Sequence, residues 1–335
     1  MDVGASAYRV LLVGELLRGT TRGLFDGVVL APAGNVCDFA HALESVQRFH
    51  PDVVVVDLSG QEALKAIARV MAERPVPVLA LHPGTLSDAE AFQALASGAV
   101  DVVDRPAEPG SEFWHTVGRK LMLLAEMRVS RPTQSATRTV RPSAQDAPFP
   151  LVAIASSLGG PKALSVVLKT LPREFPAPVC ICQHISDGFT EGLAQWLGSS
   201  TPLRVVEASD GEEMRPGHVY IARSGAHLVV RPRGVLTLDP SPAVRGFRPS
   251  CDVLLTSAAE SFGTRVLGVI LTGMGRDGAR GLKEIRERGG RTIAQDKASC
   301  AVYGMPKEAV RIGAAEEVLA LEQIGPTLTQ WVQTC

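Results

Sequence analysis

The sequence predicts an α/β protein with two doubly wound parallel-sheet domains joined by a flexible linker. Strand-like and helix-like segments alternate twice along the chain, and its 335 residues suit two domains. Between the two alternating regions lies a stretch rich in Ser, Thr, Pro, Arg and Gln. We therefore expect a first domain over residues 1–127, a linker over 128–150 and a second domain over 151–335.

In the first domain, five short apolar runs alternate with four segments of helical periodicity. The predicted strands are 9–13, 28–30, 53–56, 76–81 and 100–103. The predicted helices are 35–49, 62–72, 88–97 and 112–128. Five strands in this pattern favour a doubly wound sheet of the kind found in receiver domains.

The second domain shows the same alternation around three apolar runs, at 151–155, 179–182 and 266–271. Helical spacing follows over 161–170 and 188–197, and Pro161 suits a first helical turn. In a parallel sheet, the loops at the carboxyl ends of the strands converge on one crevice. Residues that follow these three runs should therefore meet there.

Three side chains with complementary chemistry follow those runs. Ser157 offers a hydroxyl, His184 an imidazole and Asp277 a carboxylate, which is the set needed for nucleophilic acyl transfer. Gly159 and Gly160 would let the backbone approach a substrate, and the helix that follows would direct free N–H groups at an oxyanion.

The segments that carry these residues resemble the CheB family of chemotaxis protein-glutamate methylesterases. The family motif I-G-A-S-T-G-G matches 154–160, its Q-H pair matches 183–184, and L-T-G-M-G-x-D-G matches 271–278. Further matches lie at 216–222, 248–254 and 294–306, and the likeness covers roughly 151–330. Ala155, Ser156 and Leu158 depart from the family's Gly, Ala and Thr, and Leu158 lies directly beside the nucleophile.

The resemblance implies hydrolysis of γ-glutamyl methyl esters on chemoreceptors to glutamate and methanol, in chemosensory adaptation. Ser157 would be the nucleophile, His184 the base and Asp277 its partner, while Met274 would supply a backbone N–H or an apolar wall. Deamidation of receptor glutamines is implied as a second activity. Methylated chemoreceptors and a chemotaxis-type histidine kinase are the implied partners, and the catalytic domain needs no metal or organic cofactor.

The first domain resembles response-regulator receivers, and it departs from them at the phosphorylation site. Asp57 matches the phosphoacceptor, but the two Mg²⁺-binding carboxylates of the family are replaced by Gly14-Glu15. His82 stands in place of a hydroxyl residue and Arg105 in place of a lysine. Glu15 and Asp57 alone would hold Mg²⁺ weakly, so we expect Asp57 to be phosphorylated poorly or not at all.

The motifs of the second domain allow two other interpretations, a dinucleotide-binding loop and a zinc site. The pattern G-x-G-x-x-G over 273–278, with Asp296 beyond it, is typical of dinucleotide binding, but Asp277 would repel a pyrophosphate there. Cys180, Cys182 and His184 alternate along one predicted strand, which would separate the outer pair by about 13 Å. One zinc ion could not collect all three ligands, so no metal is expected in this domain.

A third alternative is a signalling adaptor that binds receptors or a kinase without turnover. The intact Ser157, His184 and Asp277 count against it, whereas Leu158 and the altered receiver favour it.

Composition excludes several classes of protein. The formal net charge of −1 argues against nucleic-acid binding, and no apolar stretch is long enough to insert into a membrane. The N-terminus lacks a signal-peptide pattern, which predicts a cytoplasmic protein. Six scattered cysteines without a C-x-x-C pair predict reduced thiols.

Overall fold

A computed structural model of the protein describes residues 8–14, 17, 30–33, 37–83, 88–125 and 149–334. The chain divides into two compact units, 1–129 and 130–335. Residues 126–148 lie outside the described residues, so nearly all of the predicted linker does too.

The first unit contains a five-stranded parallel sheet with the order β2-β1-β3-β4-β5. Its strands are β1 (Tyr8–Val13), β2 (Leu30–Pro32), β3 (Val53–Asp57), β4 (Val78–His82) and β5 (Asp101–Asp104). Its helices are α1 (Ala42–Phe49), α2 (Gln61–Glu73), α3 (Asp88–Ala96) and α4 (Ser111–Ala125). This is the doubly wound order of flavodoxin-like folds, as the alternation predicts.

The predicted start of the first helix, at residue 35, is wrong. Helix α1 begins at Ala42 because the chain before it is held as a short parallel bridge between Cys37 and Val13. The Gly14 N–H donates to the Cys37 carbonyl at 2.9 Å. Pairing with the sheet therefore overrides the local helical pattern.

The second unit contains a seven-stranded parallel sheet with the order β14-β13-β12-β6-β7-β9-β8, and a separate antiparallel hairpin, β10-β11. The sheet strands are β6 (Leu151–Ser156), β7 (Val179–Gln183), β8 (Arg204–Glu207), β9 (His218–Ile221), β12 (Val266–Ile270), β13 (Arg291–Gln295) and β14 (Glu317–Leu319). The hairpin strands are β10 (His227–Arg231) and β11 (Val235–Asp239). The predicted class, two doubly wound parallel-sheet domains, is confirmed.

In the described part of the second unit, six helices cover the sheet. They are α5 (Gly160–Lys169), α6 (Thr190–Ser200), α7 (Cys251–Phe262), α8 (Ala279–Glu287), α9 (Met305–Arg311) and α10 (Leu321–Val332), with short 3₁₀ turns at Pro232–Gly234 and Gly263–Arg265. Pro161 lies in the first turn of α5, as predicted. The central strands β6, β7 and β12 are buried along their whole length, because helices lie over both faces.

Strand β6 lies at the centre of the sheet, where the strand order changes direction. The chain leaves β6 for β7 on one side and later returns to β12 on the other. Loops at such a point open a crevice beyond the carboxyl ends of the strands. Among the described residues, none of the helices combines the length and apolar character that crossing a bilayer requires.

Candidate active site

Ser157 follows the last residue of β6 and is half-buried. Its N–H donates to the Thr272 carbonyl at 3.1 Å, and its own carbonyl accepts from the Gly160 N–H at 2.8 Å. In the described part of the chain, the Ser157 hydroxyl itself makes no hydrogen bond. The backbone is thus fixed while the hydroxyl is free to react.

Gln183 fastens the ends of β6 and β7 together. Its buried amide oxygen accepts from the Ser156 hydroxyl at 2.6 Å, and its Nε2 donates to the Ser157 carbonyl at 2.8 Å and the His184 carbonyl at 2.7 Å. The His184 N–H donates to the Ser156 carbonyl at 3.0 Å. Because Ser156 and Gln183 are in register, Ser157 and His184 occupy adjacent positions just beyond two paired strands.

The His184 imidazole is held by a carboxylate and covered by an aromatic ring. Its Nε2 lies 2.9 Å from Asp277 Oδ2, and it stacks on Phe247 with 4.0 Å between ring centroids and an angle of 2°. Its side chain is 10% exposed. Within the described residues Nδ1 is buried without a hydrogen-bond partner, so it remains available as an acceptor.

Asp277 belongs to the loop before α8, and its side chain contacts the N-terminus of helix α7. Its Oδ1 accepts from the Ser250 hydroxyl at 2.9 Å and the Asp252 N–H at 3.1 Å, and its Oδ2 accepts from the Cys251 N–H at 2.7 Å. Free N–H groups and the positive end of a helix dipole favour a negative charge at this place. The carboxylate is therefore fixed in the orientation that contacts His184.

The pKa shifts of the pair follow from these contacts. Burial alone would raise the pKa of Asp277, but His184 and the α7 N–H groups hold that pKa below its ordinary value. Burial opposes the charged form of His184, yet its contacts with Cys251 and Asp277 raise its pKa above the ordinary histidine value. Burial also raises the pKa of Cys251, which makes Cys251 a neutral thiol near pH 7 and leaves Asp277 as the charge that stabilises the imidazolium.

The glycines around the site are required by packing within the protein. A Cβ on Gly159 would lie 2.4 Å from the Ala301 Cβ, and one on Gly160 would lie 1.9 Å from the Gln183 amide oxygen. The space beside Gly159 and Gly160, where a substrate was expected to approach the backbone, is therefore filled by protein side chains. What the glycines provide is a tight turn between β6 and α5.

Two backbone N–H groups at the site are available as donors. Those of Leu158, directly after Ser157, and Met274, in the loop after β12, form no hydrogen bond within the described residues. The N–H after a nucleophile is a common oxyanion donor. The Met274 side chain is 41% exposed, and its place at the wall of the site stays a prediction.

The loop that fits a dinucleotide-binding motif is engaged in other contacts. Gly278 adopts a φ of +87°, and a Cβ there would lie 2.9 Å from the Ala155 Cβ and 3.0 Å from the Cys251 Cβ. The glycine allows the start of α8 to approach β6 and α7. Asp277 points into the protein and Asp296 accepts from Ser299, so this loop forms one wall of the site described above.

A cluster of possible metal ligands also lies at the site. It differs in one residue from the set considered in the sequence analysis, because Cys251 takes the place of Cys180. Strand β7 ends at Gln183, so His184 does not continue the extended run from Cys180. Instead, donor atoms of Cys182, His184 and Cys251 all lie within 4.8 Å of one another. The third member comes from helix α7, which spacing along one strand could not indicate.

In the first unit, the structure describes four of the five residues that the sequence analysis named at the phosphorylation site: Gly14, Asp57, His82 and Arg105. Asp57 ends β3 with no exposed surface, and within the described residues neither carboxylate oxygen has a hydrogen-bond partner. A Cβ on Gly14 would lie 2.7 Å from the Asp57 Cβ, so a carboxylate residue has no room at that position. His82 lies 3.0 Å from Asp104, and Arg105 is buried near Asp57. Glu15 lies outside the described residues.

Sequence reasoning missed Phe247, Ser250 and Cys251. They lie in or beside the segment 248–254, where the resemblance suggests a site-proximal role for Arg248 alone. Arg248, within the same segment, is exposed and donates to the Pro240 carbonyl at 3.3 Å. The family motif was the available signal, but nothing in its spacing indicates that the start of a helix caps Asp277.

Comparison with known proteins agrees with this geometry. The family model "CheB methylesterase" matches residues 152–328. The protein-glutamate methylesterase FrzG of Myxococcus xanthus is 64% identical, over 98% of this chain and 100% of that protein. The protein-glutamate methylesterase/protein-glutamine glutaminase 2 of Anaeromyxobacter dehalogenans is 44% identical, over 86% of each.

Among solved structures, the crystal structure of the Thermotoga maritima CheB methylesterase catalytic domain is similar to the second unit. It is 42% identical with a TM-score of 0.53, and the match covers 55% of this chain and 98% of that one. The family model spans residues 152–328, which is more than half of the chain. The chain therefore belongs to the CheB methylesterase family.

Proposed function

We propose that this protein is a protein-glutamate methylesterase that hydrolyses γ-glutamyl methyl esters on chemoreceptors. The observation that carries the proposal is the Asp277–His184 pair, joined at 2.9 Å, at the strand end next to the unengaged Ser157 hydroxyl. The set supplies a nucleophile, a base and the group that orients the base. High identity to relatives named for this activity supports the same reaction here.

In the first half of the reaction, Ser157 Oγ attacks the ester carbonyl carbon and His184 takes the hydroxyl proton. Asp277 holds Nε2, which leaves Nδ1 as the nitrogen that receives it. The tetrahedral intermediate then releases methanol, which leaves with the proton from His184, and the glutamyl group stays on Ser157 as an acyl-enzyme.

In the second half, water attacks the acyl carbon while His184 takes a proton from it. The bond to Ser157 Oγ breaks, the proton returns to Ser157, and the free glutamate side chain leaves. Glutamine deamidation follows the same steps with ammonia as the leaving group. Neither reaction requires a metal or an organic cofactor.

The negative charge of the tetrahedral intermediate would be held by the N–H groups of Leu158 and Met274. Both are backbone donors, so the departure from the family's Thr at 158 leaves this function unchanged. A donor of this kind contributes about 3–4 kcal/mol to the stability of the transition state. The N-terminus of α5 adds a favourable dipole on the same side.

The substrates are methylated chemoreceptors, and the reaction serves adaptation in a chemosensory pathway. This places the protein in the cytoplasm, where receptor methylation sites are reached without membrane insertion or nucleic-acid binding. A chemotaxis-type histidine kinase is a proposed binding partner of the protein.

The test is release of labelled methanol from radiomethylated receptor membranes of the same pathway. We expect the wild-type chain to release methanol and Ser157→Ala to lose about 10 000-fold in rate or more, because Ser157 is the proposed nucleophile and the neighbouring Ser156 hydroxyl is already bonded to Gln183. Ser156→Ala is the matched control. It removes a neighbouring buried hydroxyl and should keep activity within about tenfold of wild type, the effect of losing one hydrogen bond.

The competing function is a signalling adaptor without turnover. Wild-type protein that releases no methanol, together with Ser157→Ala protein that still complements signalling in cells, would favour the adaptor and contradict the esterase. Equal release by wild type and Ser157→Ala would show that another residue is the nucleophile.

A further inference from the structure

Three potential metal ligands from separate parts of the chain meet beside the proposed base. Cys182 lies in β7, His184 directly follows that strand, and Cys251 is the first residue of α7. One donor atom from each lies within 4.8 Å of the others. The two thiols are fully buried and the imidazole is nearly so.

The distances suit a small tetrahedral ion. A zinc ion about 2.3 Å from sulfur and about 2.0–2.1 Å from nitrogen separates those two ligands by about 3.5 Å in a tetrahedron. Cys251 Sγ lies 3.5 Å from His184 Nε2. One edge of the tetrahedron therefore has the required length, and the Cys182 sulfur lies within 4.8 Å of both other donor atoms.

The donor set identifies the class of ion. Thiolate and imidazole ligands favour Zn²⁺ and related soft cations, whereas Mg²⁺ and Ca²⁺ favour oxygen ligands. We propose that Cys182, His184 and Cys251 form a binding site for a thiophilic divalent cation of the zinc class, with the fourth position open to water. Three protein ligands with an open position are a common arrangement for bound zinc.

Binding is an exchange of protons for the cation. The two thiol protons and the proton shared by His184 Nε2 and Asp277 pass to solvent as three metal–ligand bonds form. The Cys251 thiol contacts the Cys182 carbonyl at 3.4 Å and His184 Nε2 at 3.5 Å, and a thiol is a weak hydrogen-bond donor, so little is lost when the sulfur turns to the metal.

Occupancy would stop the esterase, a consequence that rests on the proposed function. A cation on His184 Nε2 displaces Asp277 from its contact and withdraws electrons from the ring, so the imidazole no longer serves as a base. The site is thus inhibitory. It does not supply a cofactor, and a chelator should restore activity.

The binding test needs no esterase activity. Reduced full-length protein is titrated with Co²⁺, and thiolate-to-cobalt charge-transfer absorption reports ligation by sulfur; Zn²⁺ then displaces the cobalt. We expect one equivalent to bind, with a loss of affinity of about 100-fold or more in Cys251→Val, because removing a ligand costs at least as much as removing its supporting group. Cys300→Ser, which changes a half-buried thiol outside the cluster, should bind as wild type does.

Cys182→Ala provides a second test if Cys251→Val does not fold, as judged by circular dichroism. Absence of charge-transfer absorption in wild type, or equal binding by wild type and a folded Cys182 or Cys251 variant, would overturn the site. Stoichiometric binding lost in either variant but kept in Cys300→Ser would support it. Because the readout is absorbance, failure of the esterase and failure of the metal site remain distinguishable.

Discussion

The Asp277 carboxylate accepts four hydrogen bonds, from His184, Ser250 and two N–H groups at the start of α7. A buried carboxylate without such partners would take up a proton, whereas this one stays charged. Its charge has two effects on His184: it fixes the ring and it stabilises the imidazolium. The second effect makes the histidine a stronger base than a free imidazole.

The raised pKa of His184 predicts the pH dependence of hydrolysis. Only the neutral imidazole accepts the Ser157 proton, so kcat/KM should rise with pH through an ascending limb whose midpoint lies above the ordinary histidine pKa of about 6.5. Asp277→Asn removes the charge that raises the pKa. This limb should then move to lower pH, while kcat falls by about 10 000-fold.

The measurement is the pH profile of methanol release from receptor membranes, for wild type and Asp277→Asn. A wild-type midpoint at or below pH 6.5, or a limb that does not move in the variant, would show that Asp277 does not govern the histidine. Ser250→Ala removes one of the four hydrogen bonds but leaves the charge of Asp277 in place, so the limb should stay close to its wild-type position.

At the scale of elements, the site depends on how closely α5 begins against β7. Gly160 opens the helix, and Gln183 occupies the space where its side chain would be. The same glutamine amide joins the carbonyls that follow β6 and β7. Helix start, strand pairing and the positions of Ser157 and His184 are therefore coupled through one buried side chain.

Gly160→Ala tests this coupling. The new Cβ would lie 1.9 Å from the Gln183 amide oxygen and 2.9 Å from the Ser156 Cβ. We expect a loss of about 1–3 kcal/mol in stability, as for other overpacked sites, with a fall in esterase activity as Gln183 is displaced. Calorimetry of the second unit and methanol release are the measurements.

Gly198→Ala is the matched control within the same unit. Gly198 lies inside α6, and the nearest atom to a new Cβ is 3.7 Å away. Alanine should fit there and favour the helix by about 0.5–1 kcal/mol. If both variants had the same stability, close packing at Gly160 would not be what holds the site together.

Several strands of the second unit were not predicted from the sequence. Strands β8, β9, β10, β11, β13 and β14 contain three to five residues each, and no strand was assigned to those segments from the sequence. Periodicity has little weight over so few residues. In β8 all four side chains remain exposed or half-buried, so the apolar signal is weak as well.

At the scale of the whole molecule, the protein consists of two units that each bury their own hydrophobic core. The first has the strand order of a receiver, but its phosphoacceptor position is enclosed. Asp57 is fully buried, burial raises its pKa, and Arg105 only partly offsets this. With Gly14 packed against it, a metal-bound phosphoryl donor has little access.

We therefore expect purified protein to incorporate little label from acetyl phosphate in the presence of Mg²⁺. The physical reason is that phosphoryl transfer depends on the metal and on in-line access to the carboxylate. Asp57→Asn is the control, and it should give the same low background. Strong labelling of wild type that is lost in Asp57→Asn would contradict this expectation and restore phosphorylation as the regulatory input.

The alternation of strands and helices is predictable from local sequence patterns, and Ser157, His184 and Asp277 are candidates because each follows a buried apolar run. How these side chains are held depends on contacts between distant segments. Ser250 and Cys251 reach Asp277 across more than 25 residues, and Phe247 and Cys251 reach His184 across more than 60. Local patterns encode the faces of single elements, whereas these contacts arise only when α7 packs against the ends of β6 and β7.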